Sequence, residues 1–185
     1  MGRDKLLLDW EGTVVLGSVL DALEAGGAAP VVVVVSPRNR RLQRWLAERG
    51  TATVPNPRPQ RGMLSSVLEG VAGLGGADRL AATTRGLLVC PGDHPGLEPS
   101  TVRALCAALA AGAVLAVPVH RGRRGHPLAI GASLVPRIAR LDAGVGLREL
   151  VARHADELVE LAVDDPAVAR DIDTPEDYRA ARGRD

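Results

Sequence analysis

Aromatic side chains are almost missing from this 185-residue sequence: Trp10, Trp45 and Tyr178 are the whole set, and there is no phenylalanine. That leaves nothing to build the base-stacking platforms on which single-strand nucleic-acid binders rely, and the core has to be assembled from Val, Leu, Ile and Ala. Net charge is scarce as well. Twenty-three basic residues face 22 acidic ones for a formal +1, too little to hold a polyanion by bulk electrostatics. Lysine occurs once, at Lys5; every other cation is arginine. The two cysteines, Cys90 and Cys106, lie in apolar stretches without a CxxC or Cys/His cluster, which predicts buried free thiols in a reducing compartment. The longest apolar stretch, residues 104–119, contains Gly112 and Pro118 and falls short of the ~18 residues of a membrane span. Leu6, Leu7 and Leu8 are too short a run for a secretion signal. The expectation is a soluble, cytoplasmic chain with neither nucleic acid nor membrane as partner.

What remains is an ordinary globular balance, 46% hydrophobic and 24% charged, in a length that suits a single domain over residues 1–185. Helical and strand patterns alternate, which argues for a parallel α/β sheet. Leu16, Val19, Leu20 and Leu23 repeat at helical spacing before Gly26 and Gly27. Residues 31–35 are all valine and predict a central parallel strand with both faces buried. Leu42, Trp45 and Leu46 form a second helix face stopped by Gly50, and residues 51–54 a short strand. Ser66 with Glu69 three positions on has capping-box spacing, so a helix is expected to start at Ser65 or Ser66 and run toward Leu74. Strands are expected at 86–90, 113–119, 127–130 and 159–163. Helices are expected around Val102, Leu105, Cys106 and Leu109, at 134–141 and at 147–154. Residues 121–125 read as a basic turn, and Thr174 with Pro175 as the cap and first turn of a last helix.

In open parallel sheets, ligands bind beyond the carboxyl ends of the strands. Asp93 follows one strand end, residues 56–66 another, and Asp171 and Asp173 a third. Carboxylates from two strand ends are natural ligands for magnesium, which completes its shell with waters and substrate phosphates. Asp93 can equally be a turn residue in Pro91-Gly92-Asp93, and Asp173 a charge at a helix N-terminus. Gly62-Met63-Leu64-Ser65-Ser66 sets amides and hydroxyls at a helix start, as an anion site or as simple capping. Lys5 can neutralise phosphate as a point cation. His94 lacks His or Cys partners at metal spacing, His126 suits either a ligand contact or a turn, and His120 and His154 read as surface residues. The sequence holds no GxSxG elbow, Walker A loop or GxGxxG.

Taken in order, several segments resemble the molybdenum cofactor cytidylyltransferase family among the MobA-like nucleotidyltransferases. They are Met1-Gly2-Arg3-Asp4-Lys5-Leu6-Leu7, Asn56-Pro57 with Gly62-Met63-Leu64-Ser65-Ser66, and Gly92-Asp93-His94-Pro95. Gly122-Arg123-Arg124-Gly125-His126-Pro127, Gly144-Val145-Gly146-Leu147-Arg148 and Asp171-Ile172-Asp173-Thr174-Pro175-Glu176-Asp177 follow. The resemblance implies a three-layer, Rossmann-like nucleotidyltransferase fold, of the nucleotide-diphospho-sugar transferase type, with a mostly parallel sheet. It also implies Mg2+-dependent transfer of CMP from CTP to the phosphate of molybdopterin with loss of pyrophosphate. A guanylyltransferase using GTP, with molybdopterin or phospholactate as acceptor, and a non-catalytic nucleotide- or cofactor-binding homologue are the alternatives. Carried over by position, Lys5 binds the triphosphate, and Asp93 with Asp171 or Asp173 holds the metal. Asn56, Gly62, Ser65 and Ser66 line the nucleotide pocket; Gly125, His126 and Pro127 lie on the acceptor side with Arg148 nearby. A molybdoenzyme or its chaperone is the implied recipient. The sequence departs from the family twice. His94 stands where GDQP has Gln, and the LAAGxSxRMG strand and phosphate loop is met only at its closing Met-Gly. A chain shortened in this way is expected to leave residues 31–35 and 87–90 without the neighbour strand they share.

Overall fold

The computed structural model describes residues 4–183; Met1, Gly2 and Arg3 of the opening motif lie outside them. Two short strands, β1 (Asp9–Trp10) and β2 (Thr13–Val14), form a hairpin that leads into α1 (Val15–Ala25). Then follow β3 (Val32–Val35), α2 (Arg40–Arg49), β4 (Ala52–Pro55), α3 (Met63–Gly73), α4 (Ala77–Thr83) and β5 (Gly86–Val89). The second half runs α5 (Pro99–Ala110), β6 (Leu115–His120), β7 (Arg123–Arg124), β8 (Leu128–Gly131), α6 (Leu147–Arg153), β9 (Leu158–Ala162) and α7 (Pro175–Arg182).

The α/β class holds, but the sheet is mixed rather than mostly parallel. β6 turns back through the two-residue Arg121-Gly122 loop into β7, and the returning β8 inserts antiparallel between β5 and β6. β9 then adds parallel to the other edge of β6. Side chains alternate across this sheet as strand geometry requires. Leu115 and Ile130 face α3, α4, α6 and a 3-10 run over Ala132–Arg140, whereas Ala116 and Ala129 face α5. Helices thus cover both faces, giving three layers. With no Phe available, fully buried aliphatics such as Leu105, Leu115 and Ile130 carry the core, each contributing about 1.5–3 kcal/mol on burial.

The valine run is not the central, doubly buried strand that its composition predicts, but it does meet the expectation that residues 31–35 and 87–90 lack a shared neighbour strand among the described residues. β3 pairs in parallel with β4 alone, and β5 pairs with β8 alone, so among the described residues these two strands belong to separate sheets. Only Val35 of β3 is buried; Val32, Val33 and Val34 are half-exposed because one edge of the strand meets no partner. A β-branched run reports a preference for extended backbone but not how many neighbours the strand acquires.

Helix ends follow their local chemistry. Gly50 stops α2 in the left-handed region at φ 76°. Thr174 and Asp177 close a full capping box on α7, with Pro175 in the first turn. α3, by contrast, begins at Met63 and not at Ser65 or Ser66. Gly62, at φ 83°, reverses the chain there, and Ser66 falls inside the helix where it cannot cap. The 134–141 pattern is a 3-10 run because Pro136 removes a helix donor. Asp165, buried to 2% exposure, ties two layers together. Its carboxylate accepts from the Glu98 amide (2.9 Å) and the Thr101 hydroxyl (2.7 Å) at the start of α5, and from the Ala167 amide (3.0 Å).

Candidate active site

The candidate site lies past the carboxyl end of β5 and is assembled from three chain segments. The first is a 3-10 turn over Lys5–Leu7. Asp4 caps it by accepting the Leu6 amide at 3.2 Å, and its other oxygen accepts from the Asn39 side chain at 2.6 Å. Asn39 in turn caps α2 through the Leu42 amide at 3.1 Å. Leu6 and Leu7 pack against Leu16, Leu20, Val35, Leu42 and Leu46. The turn is thereby anchored on its apolar side, and Lys5 projects from its polar side.

The second segment is the loop Pro91-Gly92-Asp93. A Cβ at Gly92 would come within 2.9 Å of Leu16 and 3.4 Å of Leu6, so glycine lets this loop lie directly on the anchored turn. The third is Asp171-Ile172-Asp173. Ile172 is fully buried beside Trp10 and Val15, and its amide donates to the Asp93 carbonyl at 3.0 Å. This backbone bond holds the two acid-bearing loops side by side.

Lys5 Nζ stands between them, 2.6 Å from Asp93 Oδ2 and 2.8 Å from Asp173 Oδ1. Burial pulls the lysine pKa down, but hydrogen bonds to Asp173 and Asp93 together with their charges outweigh it, and the net shift is upward. Asp171 is not part of this trio. It lines a surface groove of about 370 Å³ with Arg121, Arg123, Arg170 and Asp177.

Asn56, Ser65 and Ser66 also come together. The buried Asn56 amide donates to Ser65 Oγ at 2.9 Å and Ser66 Oγ at 3.0 Å, and its carbonyl accepts the Arg58 amide at 2.8 Å. These bonds latch the end of β4 to the first turn of α3, where the Ser65 amide donates to the Gly62 carbonyl at 3.2 Å. Gly125 and His126 form a close crossing with Val168: their amides donate to Pro118 and Val168 carbonyls at 2.9 and 2.8 Å. Pro127 is buried behind them. His94 is buried and not presented to solvent, with Nδ1 3.2 Å from the Ala167 carbonyl and its ring edge-on to His126 at 5.2 Å. Desolvation, then the His94 neighbour, lowers the His126 pKa against the opposing pull of Asp93 and Asp171. Arg148 is exposed on α6, in none of these clusters.

Three readings need correcting. His120 and His154 are both half-buried, with His120 Nδ1 3.1 Å from the Val163 carbonyl and His154 Nδ1 2.7 Å from Glu157 Oε1, so neither is a plain surface residue. Cys90 and Cys106 are free but only half-buried. Desolvation and the Asp93 charge push the Cys90 thiol up to about 12, which keeps it out of nucleophilic chemistry near neutrality. Asp4 and Asn39, which position Lys5, escaped sequence reasoning; the one available signal was that both are cap-forming residue types next to an apolar run.

No three His, Cys, Asp or Glu side chains gather as a metal cage among the described residues. A two-carboxylate site is nevertheless what magnesium uses when substrate phosphates supply other ligands. Asp93 and Asp173, already converging on one cation, fit that role. No helix among the described residues is long and apolar enough to cross a membrane.

A family model described as the MobA-like NTP transferase domain matches residues 1–158. Nicotine blue oxidoreductase of Paenarthrobacter nicotinovorans is 28% identical over 184 residues, covering 95% of this chain and 87% of that protein. The crystal structure of Rv0371c from Mycobacterium tuberculosis H37Rv superposes with a TM-score of 0.79 at 26% identity, over 98% of this chain and 90% of that one. Its complex with manganese gives a TM-score of 0.73 at 26% identity, over 97% and 92% of the two chains. A 4-diphosphocytidyl-2C-methyl-D-erythritol synthase, at 21% identity and a TM-score of 0.71 over 96% and 93%, shares the fold.

Proposed function

We propose, because this chain belongs to the MobA-like NTP transferase family of nucleotidyltransferases, that it transfers CMP from CTP to the phosphate of a molybdopterin-type acceptor and releases pyrophosphate. The observation that carries the reading is the convergence of Lys5, Asp93 and Asp173 at the end of β5. Phosphoryl-group chemistry of this kind asks the protein chiefly to position the reactants and neutralise charge. Magnesium held by Asp93 and Asp173 would supply charge neutralisation at the triphosphate. Lys5 provides a further cation, and the amides at the start of α3 a set of donors for phosphate oxygens. The Asn56–Ser65–Ser66 latch fixes where that helix begins. Gly125, His126 and Pro127 shape the acceptor side, and a molybdoenzyme or its chaperone is the recipient of the product. The choice of CTP rests on the ordered motifs that resemble the cytidylyltransferase branch.

Calorimetric titration of the folded chain with CTP and with GTP, each with magnesium, tests the reading. Binding that favours CTP, with a dissociation constant within about 1 µM to 1 mM, is expected, followed by pyrophosphate release when molybdopterin is added. Preference for GTP selects the guanylyl alternative. Affinity without pyrophosphate release points to a non-catalytic binding protein, and a folded chain that binds neither nucleotide overturns the proposal. Because one relative is named as an oxidoreductase, the assay also follows consumption of an electron donor. Redox turnover without pyrophosphate release would move this chain to that chemistry.

A further inference from the structure

We propose that Lys5 is a resident counter-cation that a divalent metal ion must displace. In the metal-free chain its ammonium holds Asp93 and Asp173 together; when metal binds, the ammonium leaves them for the triphosphate. The inference deepens the reading above and rests on its assignment of Asp93 and Asp173 as metal ligands.

The two cations compete for the same carboxylate oxygens. Asp93 Oδ2 and Asp173 Oδ1 point at one atom, Lys5 Nζ, at 2.6 and 2.8 Å. An ion ligated by these oxygens would take that position, and two like charges cannot share it. The two carboxylates come from loops fastened by the Ile172 amide on the Asp93 carbonyl, so neither can swing far to offer the ion another place. The lysine side chain can. Its backbone is pinned by the Asp4 cap and by Leu6 and Leu7 in the core, while four methylenes let the ammonium move without disturbing that anchor.

Charge favours the exchange. Two carboxylates against one ammonium leave a negative excess that a dication removes and a monovalent ion does not. The ammonium, once freed, needs an anion, and a triphosphate is the partner with the most charge to offer. Metal and nucleotide therefore reinforce one another, and by linkage the reinforcement is mutual. Residue type fits as well. One lysine stands among 23 basic residues, at the one position facing both acids. An arginine there would clamp a carboxylate through a planar two-toothed contact, whereas an ammonium is a compact point charge that an ion can replace.

The sole lysine also provides the test. Uniform 13C,15N-lysine labelling of the wild-type chain lights up one residue, Lys5, whose Cε–Nζ signal is followed by NMR during a magnesium titration. A parallel titration with manganese, read by electron paramagnetic resonance, reports metal binding directly. The expected result is that the lysine signal moves to the position of a free side chain as the metal site fills. Lys5→Met is expected to bind manganese about tenfold tighter than wild type without nucleotide, because the competitor is gone. Metal binding with an unmoved lysine signal, or a Lys5→Met chain that binds manganese no more tightly, overturns the exchange and leaves the metal assignment standing. Absence of metal binding to the wild-type chain, with or without nucleotide, overturns the assignment and the exchange together. The wild-type NMR experiment decides the question even if Lys5→Met does not fold.

Discussion

Replacing Asp93 with alanine is expected to lower the rate of pyrophosphate release by about 10³-fold, the scale on which removing a preorganised electrostatic partner acts. The loss should be chemical and not structural. What holds the loop is the Asp93 carbonyl, which accepts the Ile172 amide at 3.0 Å, together with the contact of Gly92 with Leu6 and Leu16, and the substitution leaves both in place. The ion pair that disappears is partly solvent-exposed at both side chains, so its contribution to stability is about 1 kcal/mol or less. A melting temperature lower by roughly 2–4 °C is the corresponding ceiling. Asp173→Ala should cost less activity than Asp93→Ala, since its side chain is 66% exposed and more easily replaced by water. A coupled pyrophosphate assay alongside thermal melts reads all three chains. Activity of Asp93→Ala within threefold of wild type would remove this carboxylate from the site.

Gly125→Ala should be the most destabilising small change in the acceptor-side segment. A Cβ at this position would lie 2.1 Å from the Val168 carbonyl oxygen and 2.4 Å from its carbon, both main-chain atoms that cannot rotate aside. Relief requires the two segments to part, which breaks the Gly125–Pro118 and His126–Val168 hydrogen bonds. The combined loss is about 3–4 kcal/mol, or roughly 10 °C in melting temperature for a chain of this size. Gly122→Ala is the matched control. Gly122 sits at φ 76° with nothing within 4 Å of its added carbon, so only backbone strain of about 1 kcal/mol applies. Equal melting temperatures for the two variants would show that the crossing is looser than the structure has it.

The contrast between these two glycines also marks how far the sequence could be read. Features governed by neighbours along the chain were legible. The helical spacing of Leu16, Val19, Leu20 and Leu23 gives α1, Gly50 ends α2, and Thr174 with Pro175 starts α7. Features governed by distant partners were not. Five valines announce a strand but not that three of the four in β3 stay half-exposed; the lost neighbour could be expected only from the resemblance. Ser66 has the spacing of a cap, yet the backbone reversal at Gly62 takes the helix start from it. In the site, the ordered motifs bring Lys5, Asp93 and Asp173 onto one list, and the fold adds that Asp173 and not Asp171 shares the lysine. Asp165 could not be found at all, because a buried acid held by three donors from two elements has no local pattern.

The unmatched side of β3 has a consequence for handling the protein. Its four valines carry no charge, no proline and no bulge, the devices by which natural strands at the margin of a sheet discourage adhesion. A stretch of high β-propensity that meets no second strand among the described residues is a template onto which the same stretch of another molecule can add. Crowding in solution, and not heat, should therefore set the practical ceiling on this protein. Light scattering that rises steeply with concentration at ambient temperature, and falls for Val33→Lys, is the expected signature; scattering that stays flat would mean that the helices on either side already shield the strand.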